Sequence, residues 1–276
     1  MDKLNFLTAG IPIKSNPRTY KRAFNDLIEL GLNGLEIEFV RGVNISDANV
    51  KEVQELAAPQ NMILTAHAPF FVNLNSPEQE KIDASIARII ETARMAKTLN
   101  LYSIVFHAAY YMGMNEEETY KQVKNGFEKI MKIVYEEDID TFVRPETTGK
   151  ATQWGDLDEV IRISKEFKKV LPCIDFSHLY ARTIGQNNTY DEFSRILEKI
   201  GNELGDFALN NFHAHVAGIE FTPKGEKKHL NLFESKFNYQ DLLKALKKFD
   251  IKGVVVCESP NIEEDAAILS QYYQSL

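Results

Sequence analysis

Apolar and polar positions follow two alternating periods along this chain. Short apolar runs such as Asn5-Phe-Leu-Thr-Ala-Gly10 predict strands, and each is followed by a segment with apolar residues three and four apart. After Pro17, Tyr20, Phe24, Leu27 and Ile28 keep helical spacing, and Gly31 stands where a helix would stop. The unit recurs. Gly34 to Val40 precedes a polar helical segment from Ser46 towards Ala58. Met62 to Pro69 precedes a helix opened by Ser76 as cap and Pro77 as first residue, with Ile82, Ile86, Ile89 and Ala93 on one face. Tyr102 to His107 precedes a helix with a capping-box signature, Asn115 and Glu118, and an apolar face of Val123, Phe127, Ile130 and Val134. Thr141 to Glu146 precedes a helix from Leu157 to Phe167, and Val170 to Leu179 one from Tyr190 to Ile200. Asn211 to Val216 precedes one from Tyr239 to Phe249, and Gly253 to Glu258 a last one ending near Tyr273.

Eight strand candidates, each followed by a helix candidate and undivided by any Ser/Gly-rich linker, predict one domain over residues 1–276. The fold class they predict is α/β, a single (β/α)8 TIM barrel, with an open α/β sheet as the alternative. The interruption from Val216 to Asn238 is too long for a plain βα loop, which marks it as functional. A chain of 276 residues, 44% hydrophobic, can bury a core of that size. The N-terminus lacks a basic region followed by an apolar run, and no segment stays apolar long enough to span a bilayer, so a cytoplasmic location without membrane contact is expected. Cys173 and Cys257 lie in apolar runs, as reduced core thiols do. The formal net charge of −8 argues at face value against a polyanionic partner.

A barrel gathers its active site at the C-terminal ends of the strands. The predicted strands end at His67, His107, Glu146, Asp175 and Glu258, with His178 just past one end, His213 and His215 on another strand, and Glu226 and His229 in the long loop. All six histidines fall on strand ends or in that loop, and none is expected on a helix. Imidazoles interleaved with carboxylates, without cysteine pairs, suit zinc, with manganese as the option where oxygen ligands dominate. The candidate ligands outnumber the three or four that one catalytic zinc takes, which suggests several ions sharing bridging carboxylates. A hydrogen-bonded rim without metal would leave several buried acids without cations.

Ala66-His-Ala-Pro69 with Val72-Asn-Leu74, Val105-Phe-His107, Pro145-Glu-Thr147, Cys173-Ile-Asp-Phe-Ser-His178, Phe212-His213, Gly225-Glu-Lys-Lys-His229 and Cys257-Glu-Ser-Pro260 together resemble the endonuclease IV family of abasic-site endonucleases. The fragments run in order over nearly the whole chain. The resemblance implies a monomeric TIM barrel with three zinc ions, manganese being an option at one position. It implies hydrolysis of the phosphodiester 5′ to an abasic site in duplex DNA, leaving a 3′-hydroxyl and a 5′-deoxyribose phosphate. His67, His107 and Glu146 would hold the first zinc, with Glu146 bridging to the second. Asp175, His213 and Glu258 would complete the second set, and His178 and His229 would bind the third ion. Glu146 and Glu258 would be the catalytic carboxylates. The family's third-zinc carboxylate is an aspartate two residues before its histidine; here that place holds Lys227, and Glu226 is assigned instead. The resemblance gives His215 no metal role, and its alternation with His213 suggests a donor to a ligand or a substrate contact.

Three zinc ions would bring the net charge to about −2, and Arg41, Lys150, Arg182, Lys224, Lys227 and Lys228 fall in predicted rim loops where they could form a basic crescent. Phe70, Phe71, Arg41, Tyr110, Tyr111 and Tyr180 are the candidates for entering the DNA. The main rival is a sugar isomerase or epimerase on a similar barrel, for which Glu146, Asp175, His213 and Glu258 would suffice. A non-enzymatic DNA- or sugar-binding protein that lost an ion is the third reading.

Overall fold

The computed structural model describes residues 1–276, which fall into two compact units. The first comprises Met1–Leu35, Gly149–Ala151 and Cys173–Leu276, and the second Glu36–Thr148 and Thr152–Pro172. All eight expected strands form: β1 (Leu4–Ala9), β2 (Gly34–Glu38), β3 (Ile63–His67), β4 (Ser103–Phe106), β5 (Phe142–Pro145), β6 (Ile174–Asp175), β7 (Phe212–Val216) and β8 (Gly253–Cys257). The helices are α1 (Tyr20–Glu29), α2 (Asp47–Leu56), α3 (Gln79–Leu99), α4 (Glu116–Glu136), α5 (Leu157–Ser164), α6 (Phe176–Arg182), α7 (Tyr190–Leu209), α8 (Tyr239–Lys248) and α9 (Glu263–Ser275).

In the first unit β1, β8, β7 and β6 lie side by side in that order, all parallel. Parallel neighbours buried on both faces need continuous apolar runs, and Val254-Val-Val256 is wholly buried. Gly253 has a φ of +138°, and a Cβ there would stand 2.0 Å from the carbonyl oxygen of Phe212, so β8 can approach β7 this closely only with glycine. Phe176 packs on Phe193 and Phe212, with ring centroids 5.7 and 6.4 Å apart, which fixes α6 and α7 against β7.

In the second unit the order is β2, β3, β4, β5. Residues just past the strands extend the ladder towards the site: Ala68 N donates to Val105 O at 2.8 Å and Glu146 N to Phe106 O at 3.0 Å. Phe127 on α4 meets Phe106 and Phe167. Arg144 is fully buried on β5; its guanidinium donates to Pro172 O at 3.0 Å and lies over the Phe142 ring.

Helix starts follow their caps. Asn115 accepts from Glu118 N as its spacing predicts, while Asp156 with Glu159 and Thr189 with Glu192 form reciprocal capping boxes. Two expectations are corrected. Ser76 is not the cap of α3: its hydroxyl accepts from Glu78 N at 3.2 Å, a local turn that delays the helix to Gln79. And one histidine does lie on a helix. β6 lasts two residues because the Asp175 carboxylate accepts from His178 N at 2.7 Å, capping α6 and placing His178 in its first turn. The long interruption after β7 is a β-hairpin, Gly218–Thr222 with Gly225–Leu230, followed by a single 3-10 turn. No helix is long and apolar enough to cross a membrane.

The hydroxyl of Ser177 on α6 donates to Ala217 O and accepts from Ala217 N, both at 2.8 Å in a buried setting, fastening α6 to the root of the hairpin. Replacing Ser177 by Ala should leave both backbone groups unmatched and cost about 2–6 kcal/mol, at roughly 1–3 kcal/mol per unsatisfied group, measured by chemical denaturation. A change below about 0.5 kcal/mol would show that this link is not needed.

Candidate functional site

In the second unit two imidazoles converge on one carboxylate oxygen. His67, at the end of β3, and His107, just past β4, each place Nε2 3.1 Å from Glu146 Oε2. Glu146 and His67 are almost wholly buried, while His107 is partly open. His67 Nδ1 lies 2.8 Å from Ala68 O, and because a carbonyl only accepts, Nδ1 carries a proton and Nε2 is the nitrogen directed at the carboxylate. Burial by itself lowers the pKa of His67. The hydrogen bond to Glu146 and the negative charges of Glu146, Glu38 and Glu36 outweigh that and raise it to about 10. Glu36 and Glu38, which the sequence reading did not single out, bring carboxylate oxygens within 4.8 Å of one another on β2, and Glu36 accepts from Thr65 Oγ1 at 2.7 Å. Their signal was available in the alternation Glu36-Ile-Glu38, which puts both acids on one face.

In the first unit the hairpin, α6, β7 and the end of β8 supply a second group. Asp175 accepts from His178 N and lies 3.2 Å from His178 Nδ1, which turns His178 Nε2 outward. That nitrogen stands 3.4 Å from His229 Nε2 and 3.6 Å from Glu226 Oε2. Two ring nitrogens in apposition repel through their lone pairs unless a proton or a cation lies between them. Glu226 reaches this place because Gly225 and Gly149 allow a close approach: a Cβ on Gly149 would stand 2.6 Å from Glu226 Cβ. Gly225, at φ +92°, would place one 2.3 Å from Gly149 O. Glu226 N also donates to Gly149 O at 2.9 Å.

β7 carries the difference from the expected grouping. His215, not His213, lies beside Glu258, with Nδ1 3.4 Å from Oε1, and the register pairs His215 with Asp175. Ligand atoms of Asp175, His215 and Glu258 all lie within 4.8 Å of one another. His213, two residues back towards the strand start, is gathered with His215 and Cys173. The rule that barrel sites collect at the C-terminal ends of strands favours the later of the two histidines, and it could have separated them. Cys173 is wholly buried, as a core residue should be.

The donor sets suit a divalent ion of the zinc type. Two ligands on one tetrahedral zinc, at bonds of about 2.0–2.2 Å, stand roughly 3.3–3.6 Å apart, and the separations here run from 3.1 to 3.6 Å. His67 and His178 are each turned by a partner on the other ring nitrogen, as ligand histidines usually are.

Among the rim candidates, Phe70 and Phe71 are 60% and 64% exposed just past His67, and Tyr110 is open as well. Tyr180 is instead buried against Phe221 and Phe237, and the Tyr111 hydroxyl is bound to Glu159 at 2.7 Å, so both serve packing. Lys227 is paired with Glu220 at 2.6 Å, which reduces the basic character of the hairpin face, and Arg182 donates to Lys150 O.

Comparisons with known proteins bear on this arrangement. The chain is 44% identical over 273 residues to an uncharacterized protein of Methanocaldococcus jannaschii, covering 99% of this chain and 98% of that one. It is 28% identical to a probable endonuclease 4 of Carboxydothermus hydrogenoformans over 75% of this chain and 74% of the relative. In fold it is similar to a D-tagatose 3-epimerase-like protein, with a TM-score of 0.74 at 21% identity over 97% of both chains. It is also similar to endonuclease IV from Thermus thermophilus, with a TM-score of 0.72 at 18% identity over 98% of both. Residues 24–275 match a family model described as xylose isomerase-like TIM barrel, and with parallel strands that end in histidines and carboxylates, the chain belongs to that (β/α)8 family.

Proposed function

We propose that this protein is a zinc-dependent DNA repair endonuclease that hydrolyses the phosphodiester 5′ to an abasic site in duplex DNA, leaving a 3′-hydroxyl and a 5′-deoxyribose phosphate. The observation that carries this reading is the grouping of the imidazoles. His67 and His107 on one Glu146 oxygen, and His178 against His229, are additional to the set of Asp175, His215 and Glu258. A ketose site, with its Glu, Asp, His, Glu set, has no use for those four. The sequence likeness to a relative named probable endonuclease 4 supports the same reading. The epimerase reading rests on fold likeness and stands second.

Three zinc ions per chain fit this number of donors. His67, His107 and Glu146 would hold one, Asp175, His215 and Glu258 another, and His178, His229 and Glu226 the third. In the second set His215 takes the place first given to His213. When bound, zinc supplies the positive charge that neutralises the phosphodiester and lowers the pKa of a water. The protein contributes orientation: Ala68 O fixes the His67 ring and Asp175 fixes that of His178. The exposed Phe70 and Phe71 are suited to enter the duplex where a missing base has removed stacking, so that shape rather than base edges selects the substrate. The setting of this chemistry would be the cytoplasm.

A duplex with a single abasic site should be nicked by the zinc-loaded protein and spared after chelation. Replacing Glu146 by Gln should lower the rate by about a thousandfold or more. Elemental analysis should give about three zinc per chain; one manganese per chain, ketose epimerisation and an intact abasic duplex would replace this reading with the second one.

A pH dependence follows from His67. Its raised pKa keeps the ring protonated at neutral pH in the metal-free chain, so loading an ion on Nε2 must expel that proton. Zinc affinity should therefore rise with pH, by about tenfold per unit between roughly pH 6 and 8, as read by competition with a chromophoric chelator. A flat profile would exclude His67 as a ligand.

A further inference from the structure

The geometry points to one more metal site, built from Cys173, His213 and His215 in the interior of the first unit, one rung below Asp175. Cys173 directly precedes β6, and the parallel register that pairs Ile174 with Ala214 and Asp175 with His215 carries back to set Cys173 beside His213. Side chains two residues apart on a strand share a face. The four positions therefore form two rungs, Cys173 with His213 below and Asp175 with His215 above. The upper rung belongs to the group with Glu258. In the lower one, Sγ of Cys173 and a ring nitrogen each of His213 and His215 lie within 4.8 Å of one another, and all three residues are 0% exposed.

A thiol alone at such a place is a core residue, but two fully buried imidazoles beside it are not ordinary core filling. Here a sulfur and two ring nitrogens converge on one buried volume. One sulfur and two nitrogens form a borderline-soft donor set suited to zinc or cobalt(II). Binding would convert the Cys173 thiol to thiolate, releasing its proton, and the carboxylates of Asp175 and Glu258 lie close enough to His215 to offset the remaining positive charge. His215 presents Nδ1 to Glu258; to serve an ion on each rung it would bind through both ring nitrogens as imidazolate, so its N–H proton would be released together with that of the Cys173 thiol. The site rests on the proposed function only through this shared ring.

The test uses the full chain stripped of metal and reloaded with cobalt(II). A near-ultraviolet thiolate-to-cobalt charge-transfer band is expected in the wild type and in Cys257→Ser, and it should vanish in Cys173→Ser, with bound cobalt falling by about one equivalent per chain. His213→Gln should weaken the band while leaving Cys173 in place. Wild-type protein that binds cobalt without a thiolate band overturns the site, whatever the variants do. So does a band that survives Cys173→Ser or is lost with Cys257. Nicking of abasic DNA, assayed separately, can fail while the band is present or succeed while it is absent, so the two proposals fall independently.

Discussion

A carboxylate removed from water must be held by positive charge, and Glu146 is 1% exposed with two imidazole nitrogens on one of its oxygens. Much of the second unit is arranged around that requirement. β3 and β4 end at the residues that deliver His67 and His107, and the ladder continues past the strands through Ala68 N and Glu146 N, so the three side chains sit on backbone already fixed by hydrogen bonds. Arg144, two residues earlier on the same strand face as Glu146, adds a buried guanidinium held by Pro172 O and aromatic rings. Without metal, the same carboxylates hold a proton on His67 far above its ordinary range, which is the signature of a site with surplus negative charge.

The first unit meets the requirement by other means. Asp175 spends one oxygen on capping α6, and that cap is what turns His178 towards His229. Glu226 comes from the hairpin, whose approach depends on two glycines touching, Gly225 and Gly149. The absence of a Cβ at both is the local solution that lets Glu226 reach the histidine of α6. The hairpin in turn is rooted by Ser177, so the clustered side chains of this unit depend on one another through short-range hydrogen bonds rather than through the sheet alone.

Fold likeness to an epimerase-like protein and to an endonuclease is nearly equal, because the parallel strands and their flanking helices are common to both. What separates the functions is the side chains at the strand ends. A sugar needs few charges and a shaped pocket, whereas a phosphodiester needs several cations.

Much of this was legible in one dimension. The eight alternations from apolar run to helical spacing specified the strands because a parallel sheet covered by helices demands continuous apolar segments, and the capping residue Asn115 stands where its helix begins. The residues of the candidate site were legible too, as His, Asp and Glu at predicted strand ends. Their grouping was not. Whether His213 or His215 meets Glu258 depends on register between strands far apart in sequence, and a shift of one rung exchanges the histidine beside Glu258 for one of the layer beneath. Glu36 and Glu38 acquired meaning only when folding brought their charge to His67. The amino-acid sequence determined which groups the molecule could use; the tertiary structure decided which of them lie together, because register, caps and two glycines bring each side chain into its group.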